Sequence, residues 1–548
     1  MYIRQISRKN KDGTKVTYVQ LAHNERDPEK GFAVAKVLYN FGRLEDLDLV
    51  QLKRLVKSIS RFMKPEDALR AQASLELDTP DIKWNTCKSY GGIFLLAELW
   101  RRFHFHKILA RPMAEKSFRT PVLMAIFTMI ANRCLSPSSK LAVTDWVKKQ
   151  VHIPELPEID VQVLYRAMDF LLEHQKELER EIYWSVADIL NLEVDILFFD
   201  TTSSYFETED LSPLKKRGYS KDKRKDLPQV VIGLAVTRDG IPVKHWVFPG
   251  NTADMDTIEQ VKGDLSEWKL NRLIFVHDAG MSSEDNHRYL QRGGGHYIVG
   301  RKLKSGEKEA RAALSQRGPY TAINEKLFAK EIFLGEGEKR KRLVLVKNIE
   351  EEERQRTVRQ EILDTVEEKV NAINSRRVRS HNKAVCDLLS HPVYGKYIKE
   401  LGDGRLKVAK TKAAREHQYD GKFLIETSDD TLSLEDVVFG YKQLYDVEHA
   451  FRSLKTTLKL RPNYHNRDDR IRCHIFLCFL SLLLIRIAEN ETGTTWATIR
   501  DEMNRIYFGE FKQNGSTIRL LTQLTKDQKQ ILKSLNIKEP STVVDIQA

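Results

Sequence analysis

Residues 194–301 constrain the fold most strongly, because strand-like and helix-like patterns alternate there in a fixed order. Short runs rich in β-branched and aromatic residues predict five strands, and Arg238-Asp239-Gly240 predicts a tight turn between the second and third. A helix is predicted between the third and fourth strands, at about 253–268. The order is therefore a three-stranded meander, a helix and two further strands. The predicted strands are 194–200, 229–237, 241–248, 272–277 and 296–301.

This order is that of the α/β ribonuclease H-like fold of the retroviral integrase type, which we predict for the catalytic core by fold-level analogy. Residues before 190 predict a small N-terminal β-unit followed by helices, and an α+β region interrupts the core before its last helix. The predicted domains are 1–65 (β-unit plus helix), 66–190 (helical), 191–302 (first part of the core), 303–427 (insertion), 428–495 (last core helix) and 496–548 (C-terminal tail).

The charge balance points to a polyanionic partner. The chain of 548 residues has 90 basic and 77 acidic residues, a formal net charge of +13, and its hydrophobic fraction of 41% excludes a disordered protein. A soluble protein that is merely basic is the alternative. Five cysteines without a CxxC pair support neither a zinc site nor a disulfide framework, and favour a reducing, cytoplasmic environment.

No membrane association is expected from the sequence. The start, MYIRQISRKNKDG, lacks the apolar core of an export signal, so export is not expected. The longest apolar run, 475–485, is well short of the roughly 20 residues that span a bilayer. We interpret that run as part of a buried core helix.

One acidic residue interrupts an otherwise apolar helical stripe. The spacing within 433–460 predicts one helix with Glu448 on its inward face. An ionised carboxylate there would cost several kcal/mol unless Lys455 or a metal ion neutralises it. The stripe consists of Val437, Tyr441, Leu444, Glu448, Phe451, Lys455 and Leu458.

Two upstream aspartates favour the metal. Asp200 closes the first predicted core strand and Asp278 follows the fourth, so both are expected in the crevice at the carboxyl ends of the strands. Either residue alone would more often be a turn or cap residue. Together with Glu448 they form three carboxylates suited to Mg²⁺, and two such ions about 4 Å apart can act on a phosphodiester.

Several sequence blocks resemble the DDE transposases of bacterial insertion sequences, in the insertion-sequence-four-like group. They are FFDTTSSYFE, DLPQVVIGLAVTRDGIPVKHWVFPGNTAD, VHDAGMSSEDN and VEHAFRSLKTTLKLRPNYH. That group carries a Tyr, Arg, Glu, Lys signature at offsets 0, 3, 7 and 14, and Tyr441, Glu448 and Lys455 stand at three of them. Leu444 occupies the arginine position, and Arg452 is a candidate replacement.

The resemblance implies a function and a set of partners. It implies that Asp200, Asp278 and Glu448 are the catalytic and metal-binding residues, with two Mg²⁺ ions for which Mn²⁺ can substitute. The enzyme would bind the terminal inverted repeats of its element, cut a strand and join the freed 3′-OH to target DNA. A homodimer on double-stranded DNA is expected, because two element ends must be held together. The cell would be bacterial or archaeal, with the protein at the nucleoid.

Basic residues near these acids are candidate DNA contacts. Those in the run after the first core strand would give sequence-independent, salt-sensitive affinity, unless the run is simply a solvated loop. Those around Glu448, together with Tyr441, would position the terminal phosphates. The candidates are Lys215, Lys216, Arg217, Lys223, Arg224, Lys225, Tyr441, Arg452, Lys455 and Lys459. A nuclease or resolvase of the same fold, or a non-catalytic DNA-binding relative, is the alternative function.

Overall fold

The computed structural model divides the chain into two units. It describes residues 1–10, 15–26, 33–63, 67, 82–114, 121–192, 196–268, 273–304, 308–336, 340–375, 378–513 and 516–547. The first unit combines Met1–Cys87 with Phe508–Gln523 and Pro540–Ala548, and the second combines Lys88–Tyr507 with Leu524–Glu539.

The first unit begins with an antiparallel sheet of three strands in sequence order: β1 (Tyr2–Lys9), β2 (Lys15–Arg26) and β3 (Ala33–Arg43). Helix α1 (Leu49–Ser60) follows, and the side chain of Asp48 caps it by accepting hydrogen bonds from two backbone amides of its first turn. Strands β1 to β3 and helix α1 all lie within residues 1–65, where the sequence predicts a β-unit and a helix.

A second sheet in this unit joins distant parts of the chain. Strand β4 (Ile82–Ser89) occupies one edge of the order β18-β17-β16-β4, and Asn85 Nδ2 donates to Glu510 Oε1 at 3.1 Å. Two pieces of the predicted C-terminal tail therefore belong to this unit. The C-terminal strands are β16 (Tyr507–Gln513), β17 (Ser516–Leu521) and β18 (Val543–Gln547).

The second unit begins with the predicted helices. The helix Val122–Leu135 is almost entirely buried and packs against the helix Val161–Glu173 and against the long core helix Asp468–Thr492. In the part of the chain that the structure describes, Asp468–Thr492 is the helix long and apolar enough to cross a membrane, and most of it is buried inside the protein, as in a core helix. The first helices are α2 (Gly91–Arg102), α3 (Phe105–Ala110), α4 (Val122–Leu135), α5 (Lys140–Lys149), α6 (Val161–Glu173) and α7 (Gln175–Leu190).

A mixed sheet of nine strands forms the centre of the second unit. Its first part is an antiparallel meander of β5, β6 and β7, and β8 and β9 add to β5 in parallel, giving the order β7-β6-β5-β8-β9. The predicted strand order is confirmed. The elements are β5 (Ile196–Tyr205), β6 (Gln229–Val236), β7 (Pro242–Pro249), α8 (Ile258–Glu267), β8 (Ile274–His277), α9 (Glu284–Gln291) and β9 (His296–Arg301).

The predicted insertion extends this same sheet. Strand β15 pairs antiparallel with β9, and β12, β11 and β10 follow outward in that order. The region contains α10 (Lys308–Ser315), β10 (Thr321–Ala322), β11 (Leu327–Leu334), β12 (Lys341–Asn348), α11 (Ile349–Asn374), α12 (Val378–Leu389), β13 (Ile398–Glu400), β14 (Leu406–Val408), α13 (Lys410–His417) and β15 (Lys422–Thr427).

The chain then returns to helices, and the single helix predicted over 433–460 is two helices. The backbone amide of Gln443 closes the first by donating to the carbonyls of Phe439 and Tyr441, and the second begins at the next residue. The helices are α14 (Leu434–Lys442), α15 (Leu444–Thr456), α16 (Asp468–Thr492), α17 (Trp496–Met503) and α18 (Lys526–Ser534).

Candidate active site

Two aspartates lie at the same edge of the central sheet. Strands β5 and β8 are parallel neighbours with Phe198 opposite Val276, and Asp200 and Asp278 each stand two residues further along their own segment. Neighbouring strands are roughly 4.8 Å apart, so this register, continued beyond the end of β8, would bring the two carboxylates to adjacent positions. Asp278 directly follows β8 and precedes a single turn of 3-10 helix, Ala279–Met281. This edge is where open α/β sheets bind ligands.

Asp200 is held by a small polar network. Its Oδ1 accepts a hydrogen bond from the backbone amide of Thr201 at 2.7 Å, and Lys221 Nζ lies 3.5 Å from the same oxygen. Burial raises the pKa of Asp200 to about 6, while the Lys221 ammonium acts in the opposite direction. Asp200 is therefore a carboxylate that takes up a proton more readily than an ordinary aspartate.

A fourth acid, Asp254, belongs to this network and was not singled out from the sequence. Thr201 Oγ1 donates to Asp254 Oδ1 at 2.5 Å, and Lys221 Nζ lies 3.3 Å from Asp254 Oδ2. Asp254 comes soon after Pro249-Gly250-Asn251, where the chain breaks away from β7. The sequence signal was an acid just beyond a strand end, the same signal that identified Asp278.

The expected burial of Glu448 is wrong. Helix α15 packs against β5, but its buried face is formed by other residues and Glu448 is exposed at the margin of that face. Lys455 pairs instead with Asp222, at 3.2 Å between Nζ and Oδ1. The proposed cost of burying a charge therefore does not apply to Glu448. The buried positions of α15 include Leu444, Val447, Ala450, Phe451 and Leu454.

Tyr441 packs against β9, and the charges of two candidate acids influence its hydroxyl. Its ring lies against Gly300 of β9, where a Cβ atom would be 2.0 Å from the Tyr441 hydroxyl oxygen. Burial raises the pKa of Tyr441 to about 12, and the negative charges of Asp278 and Glu448 contribute to that rise. The Tyr441 hydroxyl thus lies within electrostatic reach of both acids, one on the sheet edge and one on α15.

The acids suit a hard divalent cation by their chemistry. Among the residues that the structure describes, no three Asp, Glu, His or Cys side chains lie close enough together to hold an ion. Mg²⁺ does not require such a group, because it keeps several waters and binds through one or two carboxylates plus substrate phosphates. Asp200 and Asp278 provide carboxylates at the same end of the central sheet. These ligands fit a Mg²⁺ ion whose remaining coordination positions are filled by water and by the substrate.

The basic run after β5 forms an ordered loop in which one candidate DNA contact is buried. Lys215 is fully covered, with its ammonium 5.7 Å from the centre of the Phe206 ring, so its expected contact with DNA is not supported. Arg224 pairs with Asp226 at 2.8 Å and lies over the ring of Tyr205. The remaining candidates of this run are Lys216, which is half-buried, and Arg217, Lys223 and Lys225, which are exposed or partly exposed.

The candidate DNA contacts that follow Glu448 in the sequence also include both exposed residues and residues paired with an acid. Arg452 and Lys459 are exposed, and Lys459 has a left-handed backbone, with φ 43°, just beyond the end of α15. Lys455 and Arg461 both pair with Asp222, and Arg461 also lies over Tyr205 at 5.1 Å from the ring centre. Two cations near the site are therefore already paired with an acid from the basic loop.

Comparison with protein families identifies the class. The family described as "Transposase DDE domain" matches residues 194–484, slightly more than half of the chain. The family described as "IS1634 family transposase, N-terminal domain" matches residues 3–71. The chain therefore belongs to the DDE transposase family of bacterial insertion sequences. It is a DNA transposase, and enzymes of this family depend on divalent metal ions.

Similarity to solved structures is remote. A piggyBac transposase synaptic complex with hairpin DNA aligns with a TM-score of 0.36 and 10% identity, over 78% of this chain and 82% of that chain. A Mos1 transposase paired-end complex with the left transposon end aligns with a TM-score of 0.15 and 13% identity, over 46% of this chain and 70% of that chain. No curated protein matches the sequence.

Proposed function

We propose that this transposase cuts and joins DNA at the ends of its element with Asp200, Asp278 and Glu448 as the catalytic carboxylates. The observation that carries the proposal is the parallel register of β5 and β8, in which Asp200 and Asp278 each follow the pair Phe198–Val276 by two residues. The packing of α15 against β5 and the influence of Glu448 on Tyr441 support the third acid. The family match to residues 194–484 includes all three.

We further propose that the core is ribonuclease H-like. A meander of three antiparallel strands is followed by two strands parallel to the first, in the order β7-β6-β5-β8-β9. Region 303–427 would then be an insertion that widens the core sheet before α14 and α15. Residues 1–65 and 66–190 would recognise the element ends, with 191–302 and 428–495 forming the core and 496–548 the tail.

The chain's own residues have distinct tasks in this mechanism. Asp200, Asp278 and Glu448 would hold two Mg²⁺ ions, or Mn²⁺ in their place, and the metal would activate the nucleophile and stabilise the leaving oxygen. Asp200 must be deprotonated to bind a cation. Tyr441 would position the terminal phosphate through its hydroxyl, which is close enough to Asp278 and Glu448 to sense their charges.

The proposed substrate is double-stranded DNA, namely the terminal inverted repeats and the target. Exposed or half-exposed cations around the site would neutralise backbone phosphates, with Arg452 in place of the missing signature arginine. The enzyme would act as a homodimer in the cytoplasm, at the nucleoid. The proposed DNA contacts are Lys216, Arg217, Lys223, Arg224, Lys225, Tyr441, Arg452, Lys455 and Lys459.

Substitution of Asp200 tests the catalytic assignment. Asp200→Asn keeps the shape of the side chain but removes the charge that a cation requires, so strand cleavage at an element end should be abolished. DNA binding should stay within about twofold of wild type, because phosphate contacts dominate affinity. Cleavage would be followed on a labelled terminal repeat with Mg²⁺, and binding by fluorescence anisotropy.

The matched control is Asp256→Asn, an exposed aspartate two residues from Asp254. It makes the same change in charge away from the network of Asp200 and should cleave at the wild-type rate. Cleavage by Asp200→Asn at that rate would contradict the proposal. A pre-cut element end supplied to the wild-type enzyme measures joining separately from cutting.

A further inference from the structure

Two successive residues of the loop between β5 and β6 contact both halves of the candidate site. We propose that Lys221 and Asp222 form an internal latch, in which Lys221 takes the place of a bound cation and Asp222 takes the place of a DNA phosphate. The inference rests on the proposed roles of Asp200 in metal binding and of Lys455 in DNA contact. It adds a control step to that function: substrate and metal must displace the latch.

Lys221 binds the acidic side of the site. Its ammonium lies 3.5 Å from Asp200 Oδ1 and 3.3 Å from Asp254 Oδ2, and it donates to the Thr201 carbonyl oxygen at 2.6 Å. Three oxygens of different groups thus surround one positive charge, which is the environment that a hard cation would otherwise have. A divalent ion bound by Asp200 would be strongly repelled by this ammonium, so both cannot occupy the same place.

Asp222 binds the basic side of the site. Its Oδ1 lies 3.2 Å from Lys455 Nζ, and its Oδ2 lies 2.6 Å from Arg461 Nη1. A carboxylate held by a lysine and an arginine resembles a backbone phosphate in charge and in acceptor geometry. Lys455 is one of the proposed DNA contacts, so the acid that it pairs with here occupies the place that a phosphate would take.

The latch is ordered but can open. The backbone amide of Lys221 donates to Ser203 Oγ at 2.9 Å, and the Arg224 guanidinium lies over the Tyr205 ring, so both residues hold the loop against β5. The side chain of Lys221 remains 32% exposed and that of Asp222 remains 15% exposed. The ion pairs of Lys221 reach solvent and contribute little net stability, so a metal ion can replace them, whereas those of Asp222 are largely covered and open when DNA phosphates take over Lys455 and Arg461.

The adjacency of the two residues couples the two ligands. When DNA phosphates bind Lys455 and Arg461, the ion pairs of these residues with Asp222 break. The loop between β5 and β6 is then less constrained, so Lys221 is held at Asp200 less firmly. DNA should therefore raise the affinity for metal, and by linkage metal should raise the affinity for DNA to the same extent. The enzyme would load its metal mainly when an element end is present.

The alternative is that the pair organises the site in its active arrangement. Lys221 would then keep Asp200 in position and Asp222 would keep Lys455 in position, so removing either would weaken ligand binding. The two ideas predict opposite signs for the same substitutions. Binding experiments therefore distinguish them without measuring catalysis.

The first experiment measures DNA binding without metal. Asp222→Asn keeps the shape of the side chain but frees Lys455 and Arg461, so affinity for a terminal-repeat duplex should rise about two- to fivefold, the range expected from breaking a partly exposed ion pair. The matched control is Asp210→Asn, an exposed acid of the same loop that makes the same change in net charge. Its affinity should change less than twofold. Equal or weaker binding by Asp222→Asn would overturn the latch.

The second experiment measures Mn²⁺ binding without DNA, from the electron paramagnetic resonance signal of the free ion. Lys221→Gln can still donate to the Thr201 carbonyl but has no charge, and it should bind Mn²⁺ about two- to fivefold more tightly than wild type. Lys221→Arg keeps the charge and should resemble wild type. Lys442→Gln, at an exposed position at the end of α14, is the matched control. Unchanged or weaker binding by Lys221→Gln would overturn the latch.

Asp200→Asn separates failure of the latch from failure of the proposed function. If Mn²⁺ affinity is the same in Asp200→Asn and in wild type, Asp200 is not a metal ligand and the proposed function itself fails. If Asp200→Asn weakens Mn²⁺ binding but Lys221→Gln leaves it unchanged, only the latch fails. Circular dichroism of each variant establishes that it is folded, and the DNA arm with Asp222→Asn stands independently of the Lys221 variants.

Discussion

Asp200 shows how a side chain at a strand end acquires unusual acid–base behaviour. Burial disfavours its ionised form more than Lys221 favours it, so its pKa rises to about 6 from the ordinary value near 3.8. The upward direction of this pKa shift has a functional consequence. Between pH 4 and pH 6 the folded protein keeps a proton on this carboxyl that an unfolded chain would have released, and a protonated carboxyl does not bind a cation.

We therefore expect Mn²⁺ affinity to fall as pH decreases through 6. With one proton competing for Asp200, the affinity at pH 5 should be about tenfold below its plateau above pH 7, whereas an ordinary aspartate would still be ionised. Titration of Mn²⁺ at pH 5, 6 and 7.5 measures the midpoint. Asp200→Asn should lose this pH dependence. A midpoint near pH 4 in the wild-type protein would contradict the raised pKa.

At the scale of elements, the contact between α14 and β9 depends on a glycine. The Tyr441 hydroxyl occupies the space that a side chain at Gly300 would need, since a Cβ atom there would lie only 2.0 Å from the hydroxyl oxygen. Because both partners belong to packed elements, neither can move far without cost. The same contact sets the position of the Tyr441 hydroxyl relative to Asp278 and Glu448.

Gly300→Ala should accordingly destabilise the protein by about 1–3 kcal/mol, the usual cost of overpacking. Tyr441→Phe removes the clashing oxygen and should restore part of this loss in the double variant, measured as a non-additive free energy of unfolding in urea. The control is Gly263→Ala in α8, where an added Cβ atom meets no other atom within 4 Å. Because alanine favours a helix more than glycine does, this substitution should stabilise the protein by up to about 1 kcal/mol. Equal effects of the two substitutions would contradict the packing argument.

The elements also show what the sequence could predict. The order of β5 to β9 followed from local patterns, because each strand is an apolar run bounded by turn residues. The break at Gln443 did not follow, since both sides continue the same apolar spacing and the nearby Gly440 lies inside the first helix instead of just after its end. Local spacing likewise placed Glu448 with the buried residues, although a position at the edge of a helical stripe can face solvent.

The site was predictable only where it depends on local signals. Asp200 and Asp278 were identifiable as acids at strand ends, and the parallel register of β5 and β8 relates their positions. The contacts of Lys221 and Asp222 were not predictable, because Asp222 joins the loop to α15 and to the segment after it, more than 200 positions away. A charge run alone does not reveal which of its members are buried, as Lys215 illustrates.

At the scale of the whole molecule, the net charge of +13 makes binding to DNA sensitive to salt. Each phosphate neutralised releases counterions, so the logarithm of the affinity should fall linearly with the logarithm of salt concentration, by roughly 0.9 per contact. Lys223 lies in the basic loop beside the site. Lys223→Gln should therefore reduce this slope by about one and weaken binding to all duplexes alike.

Anisotropy titrations between 50 and 200 mM salt, a range over which several such contacts cost roughly a thousandfold in affinity, would measure the slope. Lys412→Gln, an exposed lysine in α13 of the insertion, is the matched control and should leave the slope unchanged. A slope in Lys223→Gln equal to that of wild type would remove Lys223 from the set of DNA contacts.

The pairing of β4 with β16 has a consequence for biosynthesis. The ribosome completes β4 more than 400 residues before it completes the strand that β4 pairs with. At roughly 5–20 residues per second, the nascent chain carries that strand with no native partner for on the order of half a minute. An unpaired strand edge can associate with another chain, so the interval during translation is when this protein is most exposed to aggregation.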